Sequence, residues 1–152
     1  MQFKTHLAFS LLLALLLVYL GLAKPSVILF ASFLFFSLLP DIDTPESFVG
    51  RMIQPFSNII KAAVGHRTIF HSIWLPAIIY IVCLPFSRTL AIAASVGYLS
   101  HIIIDMGNEK GIKPLWPINI HINGPFRTGG FFEILIFVIL LGIDFFFLLK
   151  LL

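Results

Sequence analysis

A few side chains able to bind a metal ion or move a proton interrupt an otherwise apolar chain: His6, Asp41, Asp43, His66, His71, His101, Asp105 and Glu133. Imidazole and carboxylate donors together select zinc, with manganese or iron next, over magnesium and calcium, which take all-oxygen shells. His6, Asp41, Asp43, His66, His71, His101 and Asp105 are the candidate ligands, enough for one ion with supporting residues or for two ions. An ion of this kind lowers the pKa of bound water toward about 7 and supplies a nucleophile at neutral pH. Arg67, next to His66, is placed to grip an anionic oxygen with its planar fork. Either Asp43 or Glu133 serves as the general base.

Spacing says how these groups are presented. His101 and Asp105, in "SHIIID", are four residues apart and share one helical face. Asp41 and Asp43, in "LLPDID", are two apart, and an extended backbone after Pro40 aims both carboxylates the same way. In "GHRTIFHS" the five-residue gap between His66 and His71 fits one helical face poorly. We therefore place His66 in a loop or first turn and His71 in a helix.

The elements that must carry them are helices in a membrane. The chain of 152 residues is 59% hydrophobic and 11% charged, with a mean hydropathy of +1.04; a soluble domain is about 45–50% apolar. Five apolar runs stand out, at 6–23, 25–39, 69–85, 89–106 and 131–152, near the roughly 17–25 residues of a spanning helix. The second is the weakest and fits a span only with mismatch, or the second arm of a tight hairpin. The fold class expected is all-α, a single membrane domain over 1–152 with about five transmembrane helices. Short turns make runs one and two, and runs three and four, antiparallel neighbours. Two long polar connections, 40–68 and 107–130, then emerge on one membrane face together with the N-terminus. Every candidate residue named above maps to that face, where ionisable groups share a wet pocket instead of facing lipid singly.

Composition excludes other classes. Cys83 is the sole cysteine, so no internal disulfide forms. A net charge of +3 from scattered basic residues is ordinary flanking for membrane spans and gives no nucleic-acid footprint. The opening "MQFK" with its apolar stretch and Ala23 also has the look of a signal peptide, but the stretch exceeds the roughly 7–15 residues of such segments and is read as a span. His121 falls in an irregular loop, outside the set. Asp144, inside the last run, is expected to pair with Arg88 or to reach the far interface. Trp74 and Trp116 read as interface aromatics.

Taken together, "HLAFS", "LLPDIDTPES", "GHRTIFHS", "GYLSHIIIDM" and "PLWPI" resemble the YdjM-like family of small inner-membrane proteins, described as membrane-bound metal-dependent hydrolases. The resemblance extends over roughly residues 6–133. Position by position it implies His6, Asp41, Asp43, His66, Arg67, His71, His101 and Asp105 as the polar site, with Glu133 less closely matched. A more distant similarity to zinc-dependent phospholipase C and single-strand nuclease folds implies the same gathering of His and Asp at helix ends.

The expected function is thus a membrane-bound hydrolase acting on a phosphoester or other anionic ester through a His/Asp-ligated, metal-activated water. A phospholipid head group is the natural substrate at a bilayer interface, and no protein partner is indicated. Two other readings stand beside it: an ion- or proton-coupled transporter, and a docking protein whose metal is only stabilising. Lys4, Arg51, Lys61, Arg67, Lys110, Lys113 and Arg127 lie on the site face, against Lys24, Arg88 and Lys150 opposite. That bias predicts a multi-pass inner-membrane protein with its site toward the cytoplasm.

Overall fold

A computed structural model describes residues 1–64 and 68–151. Those residues form helices α1 (Phe3–Tyr19), α2 (Val27–Leu38), α3 (Phe48–Met52), α4 (Phe56–Val64), α5 (Trp74–Cys83), α6 (Arg88–Met106) and α7 (Phe131–Leu151). Two 3-10 turns, Leu39–Asp43 and Ile69–His71, stand ahead of α3 and α5. Among the described residues there is no β-strand, only isolated bridges pairing Asn108 with Phe126 and Ile112 with Ile122.

The helix boundaries have local causes. Ser26 and Ser87 cap α2 and α6, their hydroxyls accepting from Leu29 N and Leu90 N, which satisfies donors the first turn leaves open. Gly21 ends the α1 turn with φ 70°, a conformation that suits glycine. The third apolar run departs from expectation: α5 starts at Trp74, and His71 sits in the 3-10 turn before it. Pro76 explains this. It has no N–H to donate back to Ser72, so a helix continuing through Ile69–Ser72 would lack that bond.

All five apolar runs are helical, but their lengths differ. By length and composition α6 and α7 are long and apolar enough to cross a membrane, whereas α1, α2 and α5 have 17, 12 and 10 residues. At about 1.5 Å per residue, α5 covers roughly 15 Å, about half the hydrocarbon thickness.

Helix α6 packs against α2, α5 and α1, and α1 packs against α2 and α7. Close approach of α6 to α2 needs Gly97, since a Cβ there would lie 2.7 Å from the Phe33 carbonyl oxygen. Ser10 of α1 donates to that same oxygen at 2.8 Å, so three helices meet at one backbone point. Helices α1 and α7 run parallel: Gln2 and Thr5 meet Glu133 at one end, and Tyr19 meets Phe147 at the other. Tyr98 OH donates to the Phe70 carbonyl at 2.7 Å and Ile73 N to the Pro114 carbonyl at 2.9 Å. These bonds pin the segment carrying His71 against α6 and the 107–130 connection.

Candidate metal centre

Four segments deliver side chains to one buried cluster. His6 comes from α1, Asp41 and Asp43 from the first 3-10 turn, His71 from the second, and His101 and Asp105 from successive turns of α6. His6, Asp43, His71, His101 and Asp105 are all buried. One donor atom each from Asp41, His71, His101 and Asp105 lies within 4.8 Å of the others, a grouping that could hold a metal ion.

The contacts inside this group are too long for strong hydrogen bonds and suit an ion between them. His101 Nε2 stands 3.6 Å from Asp41 Oδ1 and 3.5 Å from Asp105 Oδ2, and His71 Nε2 stands 3.5 Å from the same Asp105 oxygen. Charge-assisted N–H···O bonds run to about 2.7–2.9 Å. Ligands about 2.1 Å from a tetrahedral ion lie about 3.4 Å from one another. The three pairs at 3.5–3.6 Å already approach that spacing, whereas the widest separation in the group, up to 4.8 Å, must close by roughly 1.4 Å to complete that geometry.

The imidazoles are oriented for such a role. His101 Nδ1 lies 2.7 Å from the Ser37 carbonyl oxygen, and because a carbonyl only accepts, Nδ1 carries the proton. Nε2 of the neutral ring then points a lone pair at Asp41 and Asp105; it has no hydrogen-bond partner among the described residues. Asp43 Oδ2 faces His71 Nδ1 at 3.6 Å, on the opposite side of the ring from Asp105.

Asp105 divides its two oxygens. Oδ2 faces His71 and His101, while Oδ1 lies 3.4 Å from His6 Nε2 and accepts from the Met1 amino group at 2.5 Å. His6 is therefore beside the four-residue group but not in it.

The structure corrects three expectations about presentation. Asp41 and Asp43 do not point the same way: their segment is a 3-10 turn, in which three residues complete a turn and residues two apart diverge. One acid goes to His101 and the other to His71. Glu133 is held elsewhere, its Oε1 accepting from Gln2 N at 2.5 Å and Thr5 Oγ1 at 3.1 Å, and its Oε2 from Gly129 N at 2.6 Å. Asp144 is buried, with neither oxygen hydrogen-bonded among the described residues; it does not pair with Arg88. His66 and Arg67 lie outside the described residues. His121 is exposed and bonds the Lys110 carbonyl. The Ser37 carbonyl escaped the sequence reading because a backbone acceptor leaves no residue-type signal.

The YdjM inner membrane protein family matches residues 1–150. The chain belongs to that family. Similarity extends to the uncharacterised protein YvsG of Bacillus subtilis (strain 168), 31% identical over 104 residues, which are 66% of this chain and 65% of that one. The inner membrane protein YdjM of Escherichia coli (strain K12) is 39% identical over 87 residues, 53% of this chain and 44% of that protein. YdjM of Shigella flexneri gives the same figures. The chain thus spans less than two thirds of the length of these relatives. No solved structure matches it. Family membership and the apolar helices make this YdjM-family chain an inner-membrane protein.

Proposed function

We propose that this YdjM-family protein is a multi-pass, metal-dependent hydrolase of anionic esters whose site faces the cytoplasm. The carrying observation is the grouping of Asp41, His71, His101 and Asp105, with one donor atom of each within 4.8 Å of the others and the His101–Asp41, His101–Asp105 and His71–Asp105 pairs at 3.5–3.6 Å, spacings that admit an ion. These four residues hold the ion, zinc first and manganese or iron next. When bound, it supplies Lewis acidity toward an ester oxygen and a reactive water at neutral pH.

The chain's own residues then have distinct parts. The Ser37 carbonyl fixes the His101 tautomer and Asp43 steadies His71, as acids behind ligating imidazoles do. Glu133, saturated by three donors, anchors α1, which leaves Asp43 as the better placed of the two candidate bases. Arg67 keeps its proposed part of gripping the ester's anionic oxygen. His6, whose Nε2 stands 3.4 Å from Asp105 Oδ1, supports the site from beside the four ligands. The basic bias of the long connections supports the cytoplasmic orientation.

One observation favours a second reading, a non-catalytic metal-stabilised docking protein: four protein donors make a closed shell, as in structural zinc sites. Elemental analysis of detergent-purified protein together with hydrolysis of an ester panel separates the two. The hydrolase reading expects stoichiometric metal and turnover, both lost in a folded His101→Ala variant. Metal without turnover of any ester leaves the docking reading; metal-free protein that hydrolyses esters overturns both.

A further inference from the structure

The cluster opens in one direction. Asp41 has a side chain 15% exposed, while those of His71, His101 and Asp105 are 0–1% exposed. Asp41 also lines a cavity of about 590 Å³, within the range of about 300–1,000 Å³ typical of small-molecule sites. Arg51 and Lys110 stand in its wall. Both are exposed, and neither forms an ion pair among the described residues. The one glutamate in that wall, Glu46, is paired with Lys61 at 3.0 Å. Two exposed cations outside any ion pair among the described residues thus share the cavity wall with Asp41 of the cluster. Its remaining wall includes Phe3 and Phe48, stacked with centroids 4.8 Å apart.

We propose that this cavity is a phosphate subsite, in which Arg51 and Lys110 hold the phosphate group of the ester presented to the cluster. Arg forks a phosphate bidentately and Lys supplies a point charge. Phe48 and Met52 leave apolar surface exposed on α3, suited to the non-phosphate part of the molecule. The phosphate comes either from a lipid head group or from a soluble phosphate ester. The inference rests on the hydrolase reading for the chemistry after binding, but binding is measured without turnover.

The test is calorimetric titration of the zinc-loaded, detergent-purified full chain with inorganic phosphate, then with a short-chain phosphatidic acid. Arg51→Ala with Lys110→Ala should weaken phosphate binding by about tenfold or more, the loss of charge-assisted bonds, with metal content unchanged. Arg51→Lys with Lys110→Arg, which keeps both charges, should restore most of it, separating charge from misfolding. Unchanged phosphate affinity in the double alanine variant overturns the subsite. Tighter binding of phosphatidic acid, with the excess lost in Phe48→Ser, identifies the lipid source; equal binding identifies the soluble one. Phosphate binding that depends on Arg51 and Lys110 without turnover of any ester overturns the hydrolase reading and leaves the subsite standing.

Discussion

His6 and His101 lie face to face, ring centroids 3.8 Å apart and planes 9° from parallel. The stack joins α1 to α6 and covers one face of the His101 ring, whose Nδ1 edge bonds the Ser37 carbonyl. Removing the His6 ring in His6→Ala frees His101 to tilt, and metal affinity should fall roughly tenfold, as for supporting residues of metal ligands. His6→Phe keeps a flat ring but no donor, and should retain one ion per chain at near-native affinity. Elemental analysis and chelator competition read both; a His6→Phe protein devoid of metal would make His6 a primary ligand.

Asp43 meets His71 on the nitrogen turned away from Asp105. Asp43→Asn keeps the shape and removes the charge that steadies that ring. Chelator competition should show metal affinity reduced about 10–100-fold while the helical circular dichroism is unchanged. Loss no larger than that of a distant surface variant would place Asp43 outside the metal's support.

Metal removal should destabilise the protein, because only the folded chain brings the 3-10 turn acids to the α6 histidine. With free metal at about 100 times its dissociation constant, binding contributes about 2.7 kcal/mol. For a chain of this size that corresponds to a fall of roughly 5–10 °C in Tm on chelation, and re-addition of zinc should reverse it. Differential scanning calorimetry in detergent that showed no shift would argue that the cluster is empty in the native protein.

Gly97 meets the Phe33 carbonyl too closely for any side chain. Gly97→Ala should push α6 from α2, costing about 1–3 kcal/mol as overpacked cores do. Because Ser37 on α2 holds His101 on α6 at 2.7 Å, the same variant should also lose metal affinity. A stable variant that binds metal normally would show the helices can part without disturbing the site.

The apolar runs made the helices legible, and the turn lengths made the gathering of acids and imidazoles at one end legible too, since both follow from hydrophobic length and chain direction. What was hidden depends on backbone detail. Nothing in "PDID" distinguishes an extended segment from the 3-10 turn that sends Asp41 and Asp43 to different histidines. The missing N–H of Pro76, which leaves His71 ahead of α5, was present in the sequence but outweighed by the apolar pattern. The Ser37 carbonyl carries no residue-type signal at all.

Glu133 separates anchoring from proton transfer. Its carboxylate accepts from Gln2 N, Thr5 Oγ1 and Gly129 N, tying the starts of α1 and α7 together at the end that carries His6. Glu133→Gln keeps one acceptor but sets an amide N–H against donors, so stability should fall by about 1–3 kcal/mol, the cost of an unsatisfied buried group. The kcat of protein that remains folded should stay within about twofold, because an anchor is equally complete in ground and transition states. A general base would behave differently, lowering kcat by about 10²–10⁴-fold with stability little changed. Thermal melts and steady-state rates on the same preparation therefore assign Glu133 to one part or the other.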